Sequence, residues 1–170
     1  VAEDLWKRTA NDLAQMIAAG VVSSLEVVDS HLERIGEVNG WLNAITRVLA
    51  EEARAGAIKA DAAVSAGDRV GPLHGVPCTV KENVDVSGTP TTQGLPAFAE
   101  LVAPTDAPLV ERLRGAGAIL IGRTNLPELG LRISTDNPLH GLTRNPWHPG
   151  RTAGGSSGGE GSAIASGMSA

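Results

Sequence analysis

Two stretches of this chain carry residues that could do chemistry. Between Gly154 and Ser162 fall five glycines and three serines in nine residues. Glycine allows backbone angles and close approaches that other residues cannot reach, and each serine hydroxyl both donates and accepts a hydrogen bond. The following residues, Ala163 to Ala170, are small, apolar and uncharged. A flexible linker would not run into a segment fit for burial, so the pattern predicts a backbone held against a reacting group and then a tightly packed helix. The second stretch is Cys78-Thr79-Val80-Lys81-Glu82-Asn83-Val84-Asp85-Val86, where Thr79, Val80, Val84 and Val86 give β character. Lysines in strands usually face solvent, but Lys81 follows directly on the apolar start and could be drawn inside.

Three chemistries fit the serine-glycine stretch. A phosphate loop of the form G-x-x-x-x-G-K-[ST] fails because no lysine follows the glycines, and the dinucleotide pattern lacks a strand before it, since His148-Pro149-Gly150-Arg151 is a poor strand. A nucleophile elbow, G-x-S-x-G, is matched formally by Gly154-Gly155-Ser156-Ser157-Gly158, but it needs a downstream histidine and none follows His148. The third is a serine assisted by a lysine. At a pKa of ~10.4 only about one free lysine in a few thousand is neutral at pH 7, so a basic lysine must be buried near apolar groups. Alternatively it stays charged while a serine carries protons. The residues leave both descriptions open.

The elements that must position these groups alternate in type. Leu13, Met16 and Ile17 lie at helical spacing before Gly20, and Ser23 with Glu26 forms a capping box for a helix bearing Leu25, Val28, Leu32 and Ile35, ending near Asn39-Gly40. Residues 42–49 read as a strand, and 50–66 as an exposed alanine-rich helix closed by Gly67. Asp106 is a candidate cap for a helix with Leu109, Val110 and Leu113 facing inward. Ala118–Gly122 is a short apolar run typical of a buried strand, and 126–130 reads as one helical turn. Residues 134–151 are mostly irregular, which in a compact domain points to function. The order predicts an α/β fold.

The 170 residues, 42% hydrophobic, suffice for one core. A net charge of −5 without basic blocks, and only Trp6, Trp41, Phe98 and Trp147 as aromatics, argue against a nucleic-acid partner. The single Cys78 excludes an internal disulfide and a cysteine-cluster metal site, and it reads as a small packing residue in a reducing compartment. His31, His140 and His148 show no metal spacing. The charged N-terminus, Val1 to Arg8, has no signal-peptide apolar region, and no run reaches membrane-spanning length. A cytoplasmic protein without cofactor or metal is expected.

Taken in order, Gly71-Pro72-Leu73-His74-Gly75-Val76-Pro77, Val80-Lys81-Glu82-Asn83-Val84-Asp85, Gly122-Arg123-Thr124-Asn125-Leu126-Pro127-Glu128, Asn145-Pro146-Trp147 and Gly154-Gly155-Ser156-Ser157-Gly158-Gly159 strongly resemble the amidase signature family. The likeness is weak over the first sixty residues and strong from Gly71 onward. It implies a mixed β-sheet core covered by helices, with residues 1–66 as an N-terminal helical region packing on the core and 67–170 as the first part of the core, within one domain. It implies hydrolysis of carboxylic amides through a Ser–cis-Ser–Lys triad, with Lys81 as the lysine, Ser156 as the cis-serine after a cis Gly155–Ser156 bond, and Ser157 in support. Gly130 aligns with an acyl-pocket position. The family's nucleophilic serine lies in a further motif, expected beyond Ala170, so this segment alone is expected to be inactive. His74 is expected to be structural, and Glu82 and Asp85 solvated or bonded to local backbone. The implied partner is a small-molecule amide, and a homodimer is compatible. Two alternatives remain: the catalytic subunit of a tRNA-dependent amidotransferase with partner subunits, and a non-catalytic truncated relative.

Overall fold

The computed structural model describes residues 4–170. Residues 1–3, part of the charged N-terminus read above, lie outside it. The chain opens with a short 3-10 turn at Leu5–Lys7 and helix α1, Ala10–Ala18. The capping box forms as read: Ser23 Oγ accepts from the Glu26 amide at 3.1 Å, and Glu26 Oε2 accepts from the Ser23 amide at 2.8 Å. It starts α2, Ser24–Leu42, which outruns the expected end at Asn39-Gly40. Leu42 is buried and draws the last turn inward. Asn43 then leaves the helix in the left-handed region, and the Asn39 carboxamide accepts from the Ala44 and Ile45 amides at 3.0 and 2.9 Å. The strand expected over 42–49 is therefore shorter: β1 is Ile45–Val48.

Helix α3, Ala50–Ala66, ends at Gly67 as expected but is not wholly exposed. Ala53, Ala57 and Ala60, spaced four and three apart, are buried. Side chains this small let α3 lie close against α2 and the sheet. Strand β2, Pro77–Lys81, stops five residues before the expected end, because the chain turns with the Val84 amide donating to the Lys81 carbonyl at 3.0 Å. Helix α4, Pro108–Gly115, leads to β3, Ile119–Thr124, which runs two residues further than the apolar run suggested. Asp106 does not cap α4. Its carboxylate takes the Ser87 amide at 2.7 Å and pairs with Arg114 at 2.8 Å, while Leu109 faces solvent. A 3-10 turn at Glu128–Gly130 stands where one helical turn was expected. Helix α5 is Gly158–Ala165, so it begins inside the glycine-serine stretch rather than after it.

The three strands form one mixed sheet in the order β1-β3-β2. β1 runs antiparallel to β3, and β2 parallel to it. β3 is buried at all six positions, as a central strand covered on both faces must be. Ile119 and Ile121 join Val28, Leu32 and Ile35 of α2, Ala57 of α3, and Ala163 and Met168. Leu120 joins Val80, Val86 and Val110 on the opposite face.

One irregularity decides what faces the site. Cys78 pairs with Leu120, but Thr79 pairs with Gly122, leaving Ile121 as an extra residue. Side chains alternate along a strand, so a one-residue offset exchanges the faces beyond it. Thr124 consequently points to the α5 side with Thr79. Arg123, fully buried, follows Leu120 to the other side, where its guanidinium donates to the carbonyls of Val84 at 2.6 Å and Pro90 at 3.2 Å and to the Thr89 hydroxyl. That side chain fastens the segment after β2 to the sheet. No helix among the described residues is long and apolar enough to cross a membrane.

Ile121 has no exposed surface. Ile121→Ala is expected to cost roughly 2–5 kcal/mol, while Ile58→Ala, at a position 58% exposed, should stay within about 0.5 kcal/mol. Urea unfolding of the two variants checks the difference.

Candidate active site

Lys81 is the last residue of β2, and the serine pair lies just ahead of α5. The Lys81 amine donates to Ser156 Oγ at 2.7 Å and to Ser157 Oγ at 3.1 Å. Seventy-five residues of sequence separate Lys81 from Ser156, so only the tertiary fold brings them together. The Gly155–Ser156 peptide is cis. Gly155 must be glycine because the chain crosses it closely: a methyl there would stand 2.6 Å from the Arg132 carbonyl oxygen. Gly130 lies beside the pair, where a methyl on its Cα would fall 3.9 Å from Ser156 Oγ.

The segment is held from both ends. Thr135, fully buried, donates its hydroxyl to the Gly154 carbonyl at 2.9 Å and accepts from the Gly158 amide at 3.0 Å. Gly159 presses on the Asn125 backbone just after β3 and on the residue before β1, where a methyl would sit 2.8 Å from the Ala44 carbonyl oxygen. The irregular stretch 134–151 is tied back to α2 through Thr143 Oγ1 to the Asn43 carbonyl, 2.6 Å, and the Arg144 amide to the Leu42 carbonyl, 2.8 Å.

Two carboxylates flank the lysine. Glu160, in the first turn of α5, accepts from Thr79 Oγ1 at 2.5 Å and from Thr124 Oγ1 at 2.8 Å. Burial lowers the Lys81 pKa below the ordinary lysine value, and the negative charge of Glu160 opposes part of that shift. Glu82 is not solvated, contrary to expectation. It is buried and accepts from Thr46 Oγ1 at 2.6 Å, from the Thr92 hydroxyl, and sits 3.2 Å from His140 Nε2. Burial alone would push its carboxyl up, but hydrogen bonds from His140, Thr46 and Thr92 outweigh it, and its pKa falls below the ordinary value. Asp85 is exposed and accepts from Thr91 Oγ1 at 2.7 Å rather than from backbone.

The remaining singled-out residues are packed. Burial pushes the Cys78 thiol up to about 12, aided by Glu160, so it is protonated at neutral pH. His74 Nε2 lies 3.0 Å from the Ala60 carbonyl, and His31 Nδ1 lies 2.9 Å from the Val27 carbonyl. Among the described residues no group of three or more His, Cys, Asp or Glu side chains is placed to hold a metal ion.

An amine in contact with two hydroxyls, in a chain whose sequence matches the Amidase family over residues 26–170, decides the family. The chain belongs to the amidase signature family. It is 51% identical over 164 residues to the indoleacetamide hydrolase of Bradyrhizobium diazoefficiens, covering 96% of this chain and 31% of that protein. It is 44% identical to a glutamyl-tRNA(Gln) amidotransferase subunit of Acidothermus cellulolyticus, covering 95% of this chain and 32% of the relative. The solved peptide amidase of Stenotrophomonas maltophilia superposes with a TM-score of 0.90 at 32% identity, over 96% of this chain and 35% of that one. The chain thus spans about a third of the length of the curated relatives it matches.

Sequence reasoning missed Glu160, Arg123 and Thr135. Glu160 carried a signal: it is the one charged residue between Thr152 and Ala170, and a lone charge in a segment built for burial needs partners. Arg123 stood in an apolar strand with the same hint. Thr135 had none, because its role depends on backbone brought in from residues 154 and 158.

The lowered Glu82 pKa predicts a pH effect on stability. The stabilisation is fully present above the unfolded carboxyl value near 4.5 and is lost as pH falls through the lower folded value. Glu82→Gln should therefore cost about 1–3 kcal/mol at pH 7, and the gap between the two proteins should narrow below that unfolded value. Urea midpoints measured at pH 7 and in the acid range check this.

Proposed function

We propose that this chain carries the proton-relay half of an amide C–N hydrolase. The observation that supports the reading is the 2.7 Å contact from the Lys81 amine to Ser156 Oγ. In this mechanism a serine from sequence beyond Ala170 attacks the amide carbonyl. Its proton passes to Ser156, whose own proton passes to Lys81. As the tetrahedral intermediate collapses, the proton returns through Ser156 to the leaving nitrogen. Water then attacks the acyl-enzyme by the same relay, releasing the carboxylic acid and restoring the nucleophile. Ser157, 3.1 Å from the amine, holds Lys81 in line, and Gly130 leaves room for the acyl group beside Ser156. The lowered Lys81 pKa suits this duty, because less free energy is needed to present the neutral amine as acceptor.

The substrate class is a small-molecule amide. Similarity to an indoleacetamide hydrolase makes a primary arylacetamide the first compound to assay. A cytoplasmic setting is part of the reading, supported by the single cysteine. Similarity to an amidotransferase component supports a second reading, in which the amide is glutamine and partner subunits receive the ammonia. Partner subunits that co-purify, with glutamine hydrolysis dependent on them, would favour it.

In the protein as its gene encodes it, Lys81→Met and Ser156→Ala are each expected to lower kcat/KM for an arylacetamide by roughly 10²–10⁴-fold, the range for a positioned acid–base group. Full activity in Lys81→Met overturns the relay. The 170 residues on their own are expected to show no turnover, and hydrolysis surviving purification of that segment would contradict a nucleophile beyond Ala170.

A further inference from the structure

The charge beneath Lys81 comes from a residue with no place in the relay itself. Glu160 stands one helical turn into α5, three residues after Ser157, which also touches the Lys81 amine. Its two carboxylate oxygens are bound separately. Oε1 takes the hydroxyl of Thr79, two residues before Lys81 on β2, and Oε2 takes the hydroxyl of Thr124, the residue paired with Lys81 across the sheet. Ser169 Oγ, 3.1 Å from the Thr79 hydroxyl, closes the cluster from the segment after α5. Neither hydroxyl is needed for the sheet ladder, and both threonines are buried. Two buried hydroxyls aimed at one carboxylate fix it in one place.

We propose that Glu160 is a positioning residue for Lys81: anchored by Thr79 and Thr124, its carboxylate stabilises the charged amine and keeps it aimed at Ser156. The inference rests on the relay reading above. Glu160 touches neither serine of the pair, and no ion pair joins it to Lys81 among the described residues, so it acts through the field and through the docking of α5. Other titratable groups near Lys81 are committed elsewhere. Arg123, across the sheet on β3, turns its guanidinium to Val84, Thr89 and Pro90, with one weak contact of 3.4 Å to the Lys81 carbonyl. Glu82 is bound to Thr46, Thr92 and His140. The Cys78 thiol on β2 stays protonated. Glu160 is the acidic group whose charge bears on Lys81.

The consequence has a definite sign. A carboxylate near an amine favours the protonated form, so neutralising it makes the amine lose its proton at lower pH. Glu160→Gln retains the shape and the ability to bond both threonines. In full-length protein labelled with ε-13C lysine, the Lys81 Cε resonance, identified by its loss in Lys81→Met, is expected to titrate at lower pH in Glu160→Gln than in the wild type. The acid limb of the kcat/KM profile should move the same way, while Glu160→Asp, which keeps the charge, should restore the limb toward its wild-type position. A role in packing alone would lower activity without moving either titration. If Glu160→Gln does not fold, Thr79→Val with Thr124→Val releases the carboxylate from beneath the amine, and the Lys81 resonance should shift in the same direction. An unchanged Lys81 titration in the variant that folds overturns the proposal. Full activity in Lys81→Met would instead sink the relay, and the resonance would still report on Glu160.

Discussion

An amine taken partly out of water wants to lose its charge, and everything around Lys81 meets that demand or opposes it. The strand end takes the amine partly out of water. Two serine hydroxyls accept from it, and a carboxylate one turn into α5 supplies the opposing charge. Lys81 lies far in sequence from all three. The sheet sets the lysine, the docking of α5 on the end of β3 sets the serines, and Thr135 fixes the segment that carries them. A displacement of α5 would separate all of these partners at once, and its first turn is pinned by close fit: Gly159 meets the backbone of Asn125 and Ala44, and Gly158 meets the Thr135 side chain.

The two faces of the sheet do different work. On one face, α2, α3 and α5 bury Ile119 and Ile121 in an aliphatic core rich in alanine. On the other, Arg123 and Glu82 gather the segment that follows β2. Each is buried and bound to several loop groups. Buried charges of this kind are costly unless partnered: the Arg123 guanidinium reaches Val84, Thr89 and Pro90 of the loop, and Glu82 takes Thr46, Thr92 and His140. The segment directly after Lys81 is thus held by polar contacts rather than by a strand ladder.

Much of this was legible in the sequence, and the parts that were not share a cause. The capping box at Ser23 and Glu26, the stop at Gly67 and the buried run at Ile119 are local signals, and local signals carry over. The ordered motifs pointed to Lys81 and Ser156, and the fold brings the two side chains within 2.7 Å. The β character of Val84 and Val86 suggests a longer strand after Cys78, yet the chain turns at Val84, whose carbonyl Arg123 ties down. Leu109 faces solvent and Asp106 binds Ser87 and Arg114; a periodic pattern does not say which neighbour arrives. Glu82 looked like a surface charge since its three partners come from residues 46, 92 and 140. Burial of a charge is a property of what the rest of the chain brings to it.

The extra residue at Ile121 has a meaning beyond the geometry of pairing. Arg123 and Thr124 are adjacent, and they must serve opposite sides of the same strand: a permanent cation to hold a loop, and a neutral hydroxyl to hold a carboxylate. In a regular ladder the guanidinium would share a side with Ile121, directly under the lysine. Two cations would then compete for one carboxylate, and the arginine, which never gives up its proton at any physiological pH, would win. The irregular pairing is therefore an insulator, keeping a fixed charge away from one that burial already pushes toward neutrality.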